Sequence, residues 1–318
     1  MKETGVVYIG IDVSKETLDI DAGGLGARKA ANTAAGVRKA LAALMRKAGA
    51  GAPPHVCMEA TGAYIRTLAE GCQSMGLPCS ILNPHKVALF ARSLSHAKTD
   101  RIDASIIRRY AEEKRPAPTP APREALSKID DLLLAREALV KANAALRQVL
   151  ATLRHPAAAA PLRAAAAANE KRIEGYGRLI AEAVNADAQT AGLAAALTAV
   201  KGVGRLTAAK VAAWMPEIGT LGRRGAAPLA GLAPHTRESG KWKGRAVTGG
   251  GRKCVRDALF MPATSARRHD PHMRRFYEGL IARGKPYKVA LTAVMRRLIC
   301  NLDRVAREYY ARGGNPPA

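Results

Sequence analysis

Four acidic residues stand where the chain could gather them at one point. Asp12 closes the apolar run Val6-Val7-Tyr8-Ile9-Gly10-Ile11, and Glu59 closes His55-Val56-Cys57-Met58. Both runs favour strand. Asp100 and Asp103 are three residues apart in Lys98–Ala104, at the predicted start of a helix. That spacing places both carboxylates on one helix face. Acids at two strand ends and one helix start can hold one or two Mg²⁺ ions. Such ions serve phosphoryl transfer by stabilising the attacking and leaving oxygens together. Two like charges on one helix face repel mildly, and a cation offsets that cost. Taken singly, each acid also has a plain structural reading. Asp12 can cap the next turn, and Asp100 and Asp103 can complement the positive end of a helix.

The elements that would position these acids follow from the pattern of the first hundred residues. Val6–Ile11 lacks polar alternation, so it is predicted near the centre of a sheet, covered on both faces. Thr17–Ile20 and Arg28–Asn32 read as further strands around a Gly23-Gly24 turn. Gly36–Ala48 is a predicted helix with Val37, Leu41, Leu44 and Met45 on one face. The strand His55–Met58, the helix Ala63–Met75, the strand Pro78–Leu82 and a short helix around His85–Ala91 follow. Hairpin strands followed by strand–helix–strand–helix imply an α/β unit with a mixed sheet. The helix that begins near Lys98 is predicted to run to about Lys114.

Pro116, Pro118, Pro120 and Pro122 predict a stiff, extended linker and the first domain boundary. Arg123 to about Leu153 reads as one long helix. Leu132, Leu139, Leu146 and Leu153 recur every seven residues, with Ile129 and Leu150 on a neighbouring row that Arg136 and Asn143 interrupt. This is a coiled-coil seam. His155-Pro156 ends that helix, and Leu162–Val184 supplies a second, so the pair suggests an antiparallel arm that packs internally or dimerises. From Leu197 to Trp214 the chain reads helix, turn, helix around Lys201-Gly202-Val203-Gly204. Backbone N–H groups in such a turn can face a phosphate, though an ordinary helical corner has the same pattern. A Gly-rich basic loop spans Leu232 to Arg252. Helices are predicted at Lys253–Ala266, His272–Ala282 and Lys288–Tyr310.

Charge is the strongest global signal. The 318 residues carry 51 Lys and Arg against 26 Asp and Glu, for a net charge of +25. From Lys201 onward there are 24 basic and 7 acidic residues. A basic C-terminal third points to a polyanion, of which nucleic acid is the commonest; a highly soluble, Ala- and Arg-rich protein is the competing explanation. No basic helix has the large apolar face that a membrane surface would take up. No apolar run reaches the length of a membrane span, and Met1-Lys2-Glu3 runs almost directly into a strand rather than a secretory leader. Cys57, Cys72, Cys79, Cys254 and Cys300 form no CxxC pair and no metal-ligand spacing. They are expected to be buried, reduced thiols of a cytoplasmic protein.

Three acidic motifs carry a family resemblance: Gly10-Ile11-Asp12-Val13-Ser14-Lys15, Met58-Glu59-Ala60-Thr61-Gly62 and Lys98-Thr99-Asp100-Arg101-Ile102-Asp103-Ala104. The C-terminal part adds Val200–Gly204, Leu229–Pro234, Glu238-Ser239-Gly240-Lys241 and Gly249-Gly250-Gly251-Arg252. In this order the motifs resemble the DEDD insertion-sequence transposases, some of which are called bridge-RNA-guided recombinases. The resemblance implies a RuvC-like, ribonuclease-H-like mixed sheet over residues 1–115. It implies a linker and helical arm over 116–195, and a mainly helical C-terminal transposase domain over 196–318. It also implies that Asp12, Glu59, Asp100 and Asp103 hold Mg²⁺ and that Ser239 attacks DNA to form a 5′-phosphoserine link. On its own sequence, Ser239 is simply a serine in a polar loop with no adjacent His–Asp arrangement to activate it.

Arg237, Lys241, Lys243 and Arg245 surround Ser239 and could offset phosphate charge. With Lys201, Gly202, Gly204, Arg205, Arg252 and Lys253 they form the expected nucleic-acid-binding set. The implied partners are donor and target DNA, a structured non-coding guide RNA, and further copies of the chain in a dimer or tetramer. A composite site between subunits, in a cytoplasmic, nucleoid-associated prokaryotic protein, completes the expectation. Sequence choice delegated to a guide accords with a strongly basic chain that has no base-reading motif. Competing readings are a RuvC-type nuclease that uses water and does not need Ser239, and a non-catalytic nucleic-acid scaffold. An actin-like ATPase is disfavoured, because no second Gly-rich phosphate strand follows and the Asp100–Asp103 pair has no role there.

Overall fold

The computed structural model describes residues 6–49, 53–60, 62–94, 103–120, 123–235, 238–239, 242–244 and 247–316. Two units divide the chain, Met1–Ala121 and Pro122–Ala318. The first contains β1 (Tyr8–Val13), β2 (Thr17–Asp21), β3 (Ala27–Ala31), α1 (Ala34–Ala48), β4 (His55–Glu59), α2 (Arg66–Ser74), β5 (Cys79–Leu82), α3 (Pro84–Leu94) and α4 (Ala104–Lys114). Its sheet has the order β3-β2-β1-β4-β5. β1, β2 and β3 pair antiparallel, while β4 runs parallel to β1 and β5 runs parallel to β4. The expected mixed sheet and central first strand are therefore present, in the arrangement of the RuvC-like α/β fold.

Alternation along the strands sorts the side chains onto two faces. Ile9, Ile11, Val13, Leu18, Ile20, Val56 and Met58 join Val37, Leu41, Leu44 and Leu68 of α1 and α2 in one core. The opposite face brings Tyr8, Cys57 and Leu82 against Val87 of α3 and Ile107 and Ala111 of α4. Each large side chain so buried contributes about 1.5–3 kcal/mol. Gly10 lies on the α4 face. A methyl group built there would stand 2.0 Å from the Ala104 carbonyl oxygen and 2.5 Å from the Arg108 nitrogen. The missing side chain is what lets the start of α4 rest on the middle of the sheet.

Two expectations in this unit are corrected. The helix expected from Lys98 starts, among the described residues, at Ala104, with Asp103 as its cap rather than a residue of its face. Asp100 lies outside the described residues. The proline-rich segment is also not a free linker. The Thr119 N–H donates to the Cys79 carbonyl over 2.7 Å, and Ile81 N–H donates to Thr119 Oγ1 over 2.9 Å. Ser80 Oγ donates to the Ala117 carbonyl over 2.7 Å. The segment thus lies along the β5 edge, where prolines are tolerated because no ladder needs their missing N–H.

The second unit holds nine helices among the described residues. They are α5 (Glu124–Leu150), α6 (Pro156–Ala186), α7 (Ala188–Thr198), α8 (Arg205–Trp214), α9 (Gly222–Leu229), α10 (Lys253–Ala258), α11 (Phe260–His269), α12 (Pro271–Ala282) and α13 (Tyr287–Ala311). Between α9 and α10 come four two-residue strands, β6 (Pro234–His235), β7 (Glu238–Ser239), β8 (Trp242–Lys243) and β9 (Val247–Thr248). One core, which includes Leu133, Leu197, Val211, Leu259, Val294 and Leu298, joins the base of α5 and α6 to the later helices.

α5 and α6 pack along each other antiparallel, with Arg147 bonded to Glu170. The Ala-rich stretch left outside the predicted second helix is helical, with Pro156 in the first turn where its missing N–H costs nothing. The seam differs from expectation. α5 ends at Leu150, and its buried residues are Ile129, Leu133 and Asn143, while Leu132, Leu139 and Leu146 are half-buried. The row interrupted by Arg136 and Asn143 is therefore the inward one, and Asn143 Oδ1 is buried there without a partner.

Candidate active site

β1 and β4 are parallel neighbours, and Ile11 pairs with Met58. The next residue of each strand is Asp12 and Glu59, so both carboxylates project to the α4 face at the same end of adjacent strands. Both are half-buried. Burial, and secondarily the charge of Asp12, hold the Glu59 carboxyl above its ordinary range.

Asp103 enters from the other layer. Its Oδ1 accepts from the Ile106 N–H over 3.0 Å and from the Ser105 hydroxyl over 2.6 Å, which caps α4. The Ser105 hydroxyl is the main reason its carboxyl sits below the usual range. Asp103 and Asp12 line one cleft of about 650 Å³. The approach of α4 to Gly10 brings this cap over the sheet.

Asp19 and Asp21 line the same cleft, and the sequence reading missed them. Asp19 pairs directly with Asp12 across β1 and β2. Lys29 lies 2.9 Å from Asp19 and Arg108 lies 3.3 Å from Asp21, so both outer carboxylates have basic partners. The alternation Thr17-Leu18-Asp19-Ile20-Asp21 was the signal, since it places both acids on the polar face of the second strand.

Among the described residues, no group of three or more His, Cys, Asp or Glu is close enough to hold a metal ion. The donors themselves suit a hard divalent cation: two half-buried carboxylates on one face of the sheet, with Glu59 raised first by burial and then by the charge of Asp12.

Ser239 belongs to the second unit. The strands between α9 and α10 form two antiparallel pairs, β6 with β9, in which Pro234 pairs with Thr248, and β7 with β8, in which Ser239 pairs with Trp242. A methyl group on Gly251 would stand 2.3 Å from the Gly231 nitrogen and 2.6 Å from the Leu229 carbonyl oxygen. The Arg252 N–H donates to that same carbonyl over 2.7 Å. The sequence motifs Leu229–Pro234 and Gly249–Arg252 therefore meet beside the β6–β9 pair. Arg237, Lys241 and Arg245 lie outside the described residues, and Lys243 is placed only by its strand pairing with Glu238.

The remaining basic candidates separate into two kinds. Lys201 and Arg205 are exposed, and Arg205 opens α8 at the lip of a groove of about 610 Å³. Gly204 caps α8, with open space around its α-carbon. Gly202 serves packing instead: at φ +91°, a methyl group there would meet the Pro262 carbonyl oxygen of α11 at 2.8 Å. Arg252 is engaged in two 2.6 Å bonds to Glu217 and a third to the Trp214 carbonyl, and Lys253 pairs with Asp257.

Cys57 and Cys72 are buried as expected, and burial pushes the Cys57 thiol up to about 12. Cys79 and Cys300 are half-buried, and Cys254 is exposed, contrary to expectation. No helix among the described residues is long and apolar enough to cross a membrane.

The mixed sheet with carboxylates at the ends of its central parallel pair defines a RuvC-like unit of the kind that handles phosphodiesters. Comparison with known proteins narrows the class. A transposase model of the DEDD, IS110 type matches residues 9–155, and a model described as the transposase IS116/IS110/IS902 family matches residues 194–278. The chain belongs to this transposase family, a class of DNA transposase and recombinase enzymes. It is similar to the pilin gene-inverting proteins of Moraxella lacunata and Moraxella bovis, each 27% identical over 264 residues that cover 80% of both chains. It is also similar to an uncharacterized 43.6 kDa protein of insertion element IS110 from Streptomyces coelicolor. That match is 33% identical over 134 residues, which are 41% of this chain and 33% of the other.

Proposed function

We propose that this transposase cleaves and rejoins DNA strands through a 5′-phosphoserine on Ser239, with Mg²⁺ held by Asp12, Glu59, Asp100 and Asp103. The observation that carries the metal half is the shared placement of Asp12 and Glu59, with Asp103 lining the Asp12 cleft. A bound divalent ion would stabilise charge on the attacking and leaving oxygens. The Ser239 oxygen attacks the phosphorus, the bond to the 3′-oxygen breaks, and the serine proton balances the departing 3′-hydroxyl. Attack on the phosphoserine by another strand's 3′-hydroxyl then restores the serine and a phosphodiester, so no external energy source is needed.

In this reading residues 1–115 are the metal-holding domain, 116–195 the linker and arm, and 196–318 the serine domain. The basic residues Arg237, Lys241, Lys243, Arg245, Arg252 and Lys253, and the turn with Lys201, Gly202, Gly204 and Arg205, contact nucleic acid. A structured RNA selects the sites by base pairing. The chain works as a dimer or tetramer near the nucleoid, with Ser239 of one copy serving the acids of another. The names of the Moraxella relatives, which invert a gene segment, accord with strand exchange rather than hydrolysis.

Denaturing gels of end-labelled DNA incubated with the protein and Mg²⁺ test this. The wild type should yield a covalent protein–DNA adduct, and Ser239→Ala should yield none. Cleavage by Ser239→Ala at the wild-type rate would favour the water-using nuclease instead. A structured RNA that co-purifies with the protein would support the guide.

A further inference from the structure

The corner between α12 and α13 carries cations that neither the motifs nor the short strands account for. From Gly279 to Asn301 there are five basic residues and no acidic one. Every residue from Ile281 to Val289 is exposed. Arg283, Lys285 and Lys288 fall in this stretch, and none of them makes an ion pair among the described residues, unlike Arg304 and Arg307 further along α13.

The corner has a defined geometry. α12 ends with the Gly284 N–H donating to the Ile281 carbonyl over 2.8 Å and the Lys285 N–H donating to the Leu280 carbonyl over 3.1 Å. With Gly284 at φ +73°, this is the Schellman arrangement, which satisfies the last carbonyls and fixes the exit of the chain. Pro286 then caps α13. The cations are thus held in place on a closed turn.

An aromatic group stands among them. Tyr287 meets Tyr277 edge-on, with centroids 6.3 Å apart and an interplanar angle of 77°. The Arg267 guanidinium lies 5.0 Å from the Tyr277 centroid and 5.5 Å from that of Tyr287. This fixes the Tyr287 ring, yet the residue remains 45% exposed, beside Val289 at 52%. A hydrophobic core would have enclosed the ring; here it is immobilised and left open.

We propose that this corner binds single-stranded nucleic acid, with Tyr287 stacking on an unpaired base and Arg283, Lys285 and Lys288 contacting the flanking phosphates. Base stacking on a fixed aromatic ring with adjacent cations is how strands are held without reading their sequence. A duplex offers phosphates but no open base face. The inference rests on the strand-exchange reading, in which strands are transiently unpaired, and it names a surface for them.

The test uses the full chain carrying Ser239→Ala, so that binding is read without chemistry. Fluorescence anisotropy follows a labelled single-stranded 16-nucleotide DNA, the RNA of the same sequence, and a DNA duplex. Tyr287→Ala should weaken the single strand about tenfold and leave the duplex within twofold, while Tyr287→Phe restores affinity. Lys285→Ala with Lys288→Ala should reduce the slope of log affinity against log salt by about 1.4 for the single strand. Whichever of DNA or RNA is weakened more is the natural occupant. Unchanged affinity for both single strands, or equal losses for strand and duplex, would overturn the proposal. Normal adduct formation by Tyr287→Ala in a Ser239 background would show that strand cleavage stands even if this surface fails.

Discussion

At the scale of single residues, burial and a like charge act together on Glu59. Its carboxyl is raised by burial first and by Asp12 second, so its ionised form is unfavourable in the metal-free fold. Glu59→Gln should raise the thermal midpoint in EDTA. Added Mg²⁺ should raise the midpoint of the wild type and leave the variant unmoved, as calorimetry would show. A variant less stable than wild type in EDTA would contradict the like-charge account.

His55 makes the opposite kind of statement. It is buried, and its Nε2 lies 2.8 Å from Ser80 Oγ. Since the Ser80 hydroxyl already donates to Ala117, His55 donates to it through Nε2–H. Burial lowers its pKa below the ordinary value of 6.5. Above that pH the ring is neutral in both folded and unfolded chains, and its titration adds nothing. As pH falls through about 6.5 the unfolded chain takes up a proton that the folded one resists, so stability is lost. Urea unfolding from pH 8 to 5 should show this decline, and His55→Gln should flatten it.

At the scale of elements, the acids depend on how closely α4 approaches the sheet. Gly10→Ala places a methyl group against the Ala104 carbonyl and forces α4 outward. The expected loss is about 1–3 kcal/mol of stability. DNA cleavage should also fall by far more than DNA binding, because the Asp103 cap moves with the helix. The arm holds a converse case. Asn143 is buried at 5% exposure with an unpartnered carbonyl oxygen. Asn143→Leu should stabilise the second unit by about 1 kcal/mol or more, measured by urea unfolding.

The strands of the first unit and the central place of β1 were legible because alternation and apolar runs reflect burial directly, whereas the short strands β6 to β9 fell in what reads as a Gly-rich loop. Asp12 and Glu59 were legible for the same reason, as the polar residues that end such runs. The inward row of the arm was not, because a heptad of leucines outweighs an Arg and an Asn in any hydrophobic pattern, yet the leucines are only half-buried and Asn143 is the buried residue. The Arg252 pair with Glu217 was not legible, because sequence shows charge but not a partner 35 residues away. The approach of α11 to Gly202 was hidden for the same reason, since that helix comes about sixty residues later.

At the scale of the whole molecule, the buried cores are separate. One draws only on residues from Ile129 onward, and the other two on residues up to Ala111. Calorimetry should therefore resolve two transitions, with Gly10→Ala lowering one and Asn143→Leu raising the other. A single transition shifted by both substitutions would show that the units unfold as one.

The proline-rich segment beside β5 bears on assembly. A sheet edge is usually an invitation for another chain to add a strand. Here that edge is already occupied by residues 117–119, whose flanking prolines have no N–H to offer a further neighbour. Lengthening the sheet by recruiting a second molecule is closed on this side. Of the two edges of this sheet, that leaves only β3 where another strand could add.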